Sequence, residues 1–265
     1  MTGSNLRKKR TLSVILWILA LLVVWEVVSL LMSNVFHDPK AEKKLPDLLT
    51  IAGSFRDYWQ IILRQAGVTF SFAFSGFVIG TAAGFILAII MRLSGIIEKM
   101  AMPYLLASQM IPILGLAPIV LGLLKDINGA RIAIAAYITF FPKSMSLLGG
   151  LKSVPKSYLD LMHSYAAGNV ALFTKLLLPW ALPNLFSGLK IAAPVAIAAA
   201  ILVDTLSARD GIGYVIIYTL YGGGTVGQFW PAIIVAALMG VLSFALISLG
   251  EQLFLKKRRK EGKKR

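Results

Sequence analysis

Apolar residues in this chain come in long unbroken runs separated by short polar joints, and the runs have the length of a bilayer crossing. A spanning helix needs about 20 mostly apolar residues. Six segments qualify: 12–35, interrupted by Glu26; 67–91, within the charge-free interval between Arg64 and Arg92; 100–124, between Lys99 and Lys125; 131–151, containing Lys143; 184–206, with Lys190 near its start and Asp204 near its end; and 231–255. The first run is too long for a signal peptide, and no small-residue cleavage site follows it, so it is expected to stay as a span. The pattern predicts an all-α polytopic membrane protein with six transmembrane helices.

The joints set the topology. Six spans place both termini on one side. If that side is cytoplasmic, the inner segments hold 19 Lys and Arg and the outer segments eight, as the positive-inside rule requires. Residues 1–11 and 256–265 are then cytoplasmic basic ends, 152–183 a cytoplasmic loop and 207–230 an external loop. In 45–66, Leu48, Ala52, Phe55, Trp59 and Ile62 recur at helical spacing with Arg56, Asp57, Gln60 and Arg64 between them. That predicts an amphipathic helix on the outer surface leading into span two. The external loop carries Gly211, Gly213, Gly222, Gly223, Gly224 and Gly227, and is expected to be irregular or re-entrant.

Composition agrees. Of 265 residues, 57% are hydrophobic and 15% charged, against about 25% charged in soluble domains. The net charge of +15 lies largely in basic runs at 7–10 and 256–265, beside apolar segments. These fit anchors against anionic membrane lipids, not a nucleic-acid surface. With no cysteine, disulfides and thiolate chemistry are excluded.

Several positions inside the spans carry meaning. Gly76, Gly80, Gly84 and Ala88 recur every four residues, so another helix can pack closely against that face. Glu26 is either a substrate or proton site, or a hydrogen-bonded carboxyl tying span one to the bundle. Lys143 and Lys190 are expected to snorkel toward the cytoplasmic side. Asp204, beside Thr205 and Ser207, ends span five where an external ligand can reach it. Gln109, Pro112 and Pro118 in span three predict either a kinked, pore-lining helix or a packing kink. The candidate translocation path is therefore Gln109, Pro112, Asp204 and Thr205. The chain lacks HExxH, a cysteine metal site and GxxxxGK[ST]. His37 and His163 lack nearby metal-ligand partners. No metal or cofactor and no nucleotide hydrolysis are expected of this chain itself.

The cytoplasmic loop is half apolar. Leu159, Met162 and Ala166 share helical spacing, Ala167-Gly168-Asn169 can turn because Gly and Asn tolerate positive φ, and Leu172, Phe173, Leu176 and Leu177 form an apolar band. Pro179 and Pro183 are expected to stop the second helix before span five. Two short helices at an angle result, with a polar tip that a soluble partner could grip.

This loop resembles the EAA loop of ABC-importer permeases: EAA, three residues, Gly, then Leu-Pro with the proline thirteen residues after the glycine. Counting back from Leu178-Pro179 puts Ala166 at the glycine position and Asp160 at the glutamate, with Leu161-Met162 for Ala-Ala. SYAAGNVALFTKLLLPWALP, LPDLLTI, LSGIIEKMAMPYLLASQMIPILGLAPIVL, FFPKSMSLLGGLKSVP, ARDGIGYVI and Trp25-Glu26 resemble the nitrate/sulfonate/taurine branch, over about residues 12–255. The resemblance implies a type I ABC importer permease, its permease domain over about 60–255, for a small solute: a nitrate-, sulfonate- or taurine-like anion, or a heterocycle of the thiamine-precursor kind. It implies a homodimer with a second permease copy, two cytoplasmic ABC ATPase subunits that hold ATP and Mg, and an external solute-binding protein. The implied ATPase-coupling residues are Asp160, Leu161, Met162, His163, Tyr165, Ala166, Ala167, Gly168, Asn169, Phe173, Leu178 and Pro179. A secondary transporter would need a coupling-ion site, and more often ten or more spans with internal repeats. A membrane scaffold would not require the loop pattern.

Overall fold

The computed structural model describes residues 3–35 and 44–262; His37 lies outside them. Ten α-helices are assigned among the described residues: α1 (Gly3–Leu30, continued by a π-helical turn Leu31–Val35), α2 (Leu48–Leu93), α3 (Gly95–Met110), α4 (Ile113–Leu124), α5 (Ile127–Lys152), α6 (Lys156–Ser164), α7 (Asn169–Leu172), α8 (Leu178–Ser207), α9 (Ile212–Leu220) and α10 (Phe229–Gly262), with α7 joined to α8 by a π-helical turn, Phe173–Leu177.

 A 3-10 turn, Val226–Gln228, precedes α10. No strand occurs among the described residues.

Among the described residues five helices are long and apolar enough to cross a membrane, and up to six spans result if α3 and α4 count as one broken span. Those two meet at a bend of 100°. Pro112 at the junction lacks the N–H that would continue the helix, and serves as N-cap of α4. Segment 100–124 is thus far more sharply broken than a kink.

Local signals explain most boundaries. The Asp47 carboxylate accepts from Thr50 N at 2.6 Å to start α2, and Asp126 accepts from Asn128 N and Gly129 N to start α5. Both are ordinary N-caps. Ser94 ends α2 and caps α3 with the same residue.

Three differences from the sequence expectations stand out. The outer amphipathic helix and span two are one helix of 46 residues, about 69 Å long at 1.5 Å per residue. No Pro or cap residue interrupts it, and Gly67 at the junction stays helical, so the helix simply continues. Its packed face is also rotated: Ile51 and Ile62 are buried and Phe55 and Tyr58 half-buried, whereas Trp59 is 51% exposed. Second, the glycine-rich loop contains α9, whose Ile212, Gly213, Val215 and Thr219 are buried. Third, Pro179 and Pro183 do not stop the helix. The π-helical turn at Phe173–Leu177 precedes Pro179, which occupies the first turn of α8, where a missing N–H costs nothing. A π turn shifts the bonding pattern by one residue and makes room for the ring.

The centre of the fold is α2, α5 and α8, each packed on the other two. Gly76, Gly80 and Gly84 are buried in α2. A Cβ on Gly76 would lie 2.6 Å from the Ile132 carbonyl oxygen, and one on Gly84 2.7 Å from that of Phe140. The α2 and α5 backbones therefore touch along this row. Then α10 packs on α8, α2 and α9, while α4 packs on α5 and α8. The apolar residues of α1 are largely exposed, among them Trp17 at 70%. Near its end it is held by bonds to the segment that leads into α2 and to the first residue of α2: Trp25 Nε1 donates to Pro46 O at 3.0 Å, Ser29 Oγ donates to Leu45 O at 2.8 Å, and Glu26 Oε2 accepts from Leu48 N at 3.0 Å. Of the two readings of Glu26, this geometry favours the tie to the bundle.

Candidate functional site: the α5–α8 fork and its tip

The helices α5 and α8 form a fork. At one end α6 and α7 join them; at the other α9 returns against the bundle.

The tip begins at Pro155, which precedes α6. No residue of α6 or α7 is buried. Leu161, Tyr165 and Val170 are 51%, 77% and 79% exposed. Leu159, Leu172, Phe173 and Leu176 are the tip's inward face, packed on a core of Ala88, Met91, Leu147, Leu151, Leu177 and Ala181. Tyr158 and Trp180 meet with ring centroids 5.3 Å apart. The tip is therefore seated by one apolar side and presents the other outward.

The turn between α6 and α7 has its own chemistry. Ala167 N donates to Met162 O at 3.0 Å, and Ala166 N donates to His163 O at 2.9 Å. With Tyr165 as C-cap, this is the two-bond Schellman ending, whose first residue beyond the cap is normally glycine in the left-handed region. Here it is Ala166, at φ 51. Gly168 sits at φ −66 as N-cap of α7, a conformation any residue adopts. The expectation that Gly168 and Asn169 supply the positive φ is corrected: the left-handed residue is Ala166. Asp160, His163 and Asn169 are exposed, Met162 and Ala167 half-buried.

Above the tip, Lys143 does not snorkel. It is fully buried, and Nζ donates to Leu185 O at 2.8 Å. Lys190 forms an ion pair with Glu251 at 2.6 Å, a partner the sequence reading missed. A lysine followed by an apolar run reads as a helix-end anchor; only the position of α8 shows that Lys143 points into the bundle.

At the far end lies a buried polar knot. Asp204 is 1% exposed. It accepts from Arg131 Nε at 2.6 Å, Thr69 Oγ1 at 2.6 Å and Gly213 N at 3.3 Å. Arg131 also donates to Asn128 Oδ1, Asp210 O and Asp210 Oδ1 at 2.7–2.8 Å, and its guanidinium lies 5.1 Å from the Phe72 ring centroid. Gly211 N donates to Gln65 Oε1 at 2.7 Å and Ile212 N to Thr69 Oγ1 at 2.8 Å. Gly211 has φ 94, and a Cβ there would lie 2.7 Å from Asp204 Cγ, so only glycine fits. Asp204 was expected within reach of an external ligand; it is instead sealed between α2, α5 and α9. Arg131 was not singled out from the sequence, although a lone arginine at the edge of an apolar run, with an Asp near the end of another, was the available signal. Thr205 is half-buried and donates to Leu202 O.

Gln109 and Pro112 lie at the α3–α4 bend and are exposed, away from the Arg131 knot. Exposed apolar residues continue from there along both helices: Leu106, Met110, Ile111, Leu114, Ile119 and Leu123. No group of three or more His, Cys, Asp or Glu among the described residues could hold a metal ion.

Comparison with known proteins places this architecture. Residues 80–259 match the family described as binding-protein-dependent transport system inner membrane component. The formylaminopyrimidine transport permease protein ThiX of Halalkalibacterium halodurans is 28% identical over 96% of this chain and 99% of its own length. The taurine transport system permease protein TauC of Escherichia coli is 25% identical over 92% of this chain and 87% of its own. Among solved structures, an amino acid ABC transporter chain gives a TM-score of 0.63 at 17% identity, covering 75% of this chain and 96% of that one. A chain of the MetNI methionine ABC transporter in an inward-facing conformation gives 0.62 at 15% identity, covering 76% and 97%. At those identities the likeness concerns the fold.

Proposed function

The chain belongs to the family of binding-protein-dependent transport system inner membrane components, and on that premise we propose that it lines the translocation path of an ATP-driven importer for a small solute. The family is a transport permease component and not an enzyme, and the chain is a multi-pass inner-membrane protein. In the proposed assembly a second copy pairs with it, two ATPase subunits dock on the α6–α7 tips and supply ATP and Mg, and an external binding protein delivers the solute.

The observation that carries this reading is the tip. It is seated on the bundle by Leu159, Leu172, Phe173 and Leu176, yet leaves Leu161, Tyr165 and Val170 exposed. An apolar patch on a cytoplasmic tip suits a soluble partner's groove. Asp160, Leu161, Met162, His163, Tyr165, Ala166, Ala167, Gly168 and Asn169 form or flank that surface; Phe173, Leu178 and Pro179 connect it to α8. ATP-driven closure of the partner pair moves the tips, and the fork passes the movement to the bundle.

Gln109 and Pro112, at the exposed α3–α4 bend, are the proposed path residues. The burial of Asp204 argues against its direct contact with solute. The solute class is either a small anion, as the name of TauC suggests, or an aminopyrimidine heterocycle, as that of ThiX suggests. The test is co-expression of the tagged chain with its ATPase and binding protein. ATP-dependent uptake into proteoliposomes is expected for a member of one class, and loss of ATPase co-purification in a Leu161→Glu/Tyr165→Glu variant. Wild-type chain that never retains an ATPase would refute the reading.

A further inference from the structure

The base of the fork is more tightly built than a passive joint needs. Ser146 Oγ donates to Asn184 O at 2.5 Å, one turn along α5 from the bond between Lys143 Nζ and Leu185 O at 2.8 Å. Two glycines bring the backbones together at the same level. A Cβ on Gly150 would lie 2.8 Å from Asn184 Cβ and 3.0 Å from Ala181 Cα, and one on Gly188 2.8 Å from Ser146 Cβ.

These contacts brace the part of α8 that is weakest by itself. The π-helical turn at Phe173–Leu177 and Pro179 and Pro183 fall in succession. Pro183, inside the helix, removes one backbone donor from it. A load on the tip would bend α8 there. Asn184 and Leu185, whose carbonyls α5 holds, follow directly after Pro183.

Stability alone does not account for a lysine in this place. Lys143 is fully buried and forms no ion pair among the described residues. A lysine at the centre of a membrane helix costs about 2.5–3.5 kcal/mol on insertion scales, and replacing buried charged groups by apolar ones of similar volume is often neutral or stabilising. A methionine would fill similar space without that cost. What it lacks is the donor that reaches across to α8.

We propose that Lys143 is a positioning residue: with Ser146 it ties α5 to α8 at the base of the tip, so that both prongs move together and a displacement at the tip reaches the bundle instead of being lost by bending at Pro183. This rests on the tip being the coupling surface described above.

The test uses the complete transporter in proteoliposomes, comparing Lys143→Met and Lys143→Met/Ser146→Ala with the parent. The Met variant is expected to assemble and to melt at the parent's temperature or above. Its ATP hydrolysis should persist while solute moved per ATP falls about five-fold, the equivalent of losing one hydrogen bond of about 1 kcal/mol; the double variant should fall further. An assembled Met variant with the parent's ratio of transport to hydrolysis overturns the proposal. Should the Met variant fail to accumulate, Lys143→Gln, which keeps a donor on a shorter arm, takes its place, with a smaller fall expected and an unchanged ratio again overturning the idea. A measurement on the chain alone separates this proposal from the coupling reading. With spin labels at Gly149→Cys on α5 and Thr174→Cys in the π-helical turn that leads into α8, the Met variant should broaden the distance distribution between the two. An unchanged distribution sinks the fork brace whatever the ATPase does; absence of ATPase from the wild type, with broadening intact, sinks the coupling reading only.

Discussion

Ala166→Gly should strengthen the end of α6. Ala166 holds φ 51, and an L-residue in the left-handed helical region costs roughly 1–2 kcal/mol. Its side chain is exposed, so removing the methyl group opens no cavity. Both Schellman bonds, Ala166 N to His163 O and Ala167 N to Met162 O, use backbone atoms and survive the change. Against the gain stands glycine's greater freedom in the unfolded chain, worth about 0.4–1 kcal/mol. The net effect is about 0.5–1 kcal/mol in favour of glycine, or roughly a two- to five-fold smaller population of the opened turn. Hydrogen exchange of the amides at 162–165 in detergent-solubilised protein reads that population directly, and these positions keep their own side chains. Ala166→Val supplies the opposite sign, because a β-branched residue is still less at home at positive φ. Slower exchange in the glycine variant and faster exchange in the valine variant are expected. Identical exchange in all three proteins would refute the argument, since the turn would then not limit opening of the helix end.

Three further perturbations follow from the packing. Arg131→Met leaves Asp204 buried without its cation and should cost about 3–5 kcal/mol, seen as a large fall in melting temperature, whereas Arg131→Met/Asp204→Leu should recover much of it; equal melting of single and double variants would count against the pair. Gly80→Ala would push a methyl group into the α5 backbone at Ala136 and should destabilise by about 1–3 kcal/mol, while Gly122→Ala, with open space around it, should not destabilise. Glu26→Leu removes the acceptor for Leu48 N, about 1 kcal/mol, and should lower crosslinking between cysteines placed on α1 and at the start of α2, in a chain with no cysteine of its own; undiminished crosslinking would show that Trp25 and Ser29 suffice.

What could be read from the sequence divides along a physical line. Spans were legible because burial in lipid demands long apolar runs, and the glycine row of α2 because a four-residue spacing has one structural meaning on a helix. The left-handed turn was half legible: counting from Leu178-Pro179 reached Ala166, whereas residue type alone pointed to Gly168, since glycine permits positive φ without requiring it. Helix ends at prolines were misread because a proline stops a helix only if nothing absorbs the missing bond, and the π-helical turn at Phe173–Leu177 leaves no mark in composition. The charged residues were the least legible. Lys143, Lys190, Asp204 and Arg131 all look like residues seeking water at the edge of a span, yet two are fully buried or nearly so beside one another, one is bonded to a backbone carbonyl and one is paired with Glu251. A charge in an apolar run says that a partner must exist, and the partner lies 42 to 73 residues away along the chain. Only the packing of α2, α5, α8 and α10 identifies it, and for that reason the fork's brace at Lys143 is visible in the fold and not in the sequence.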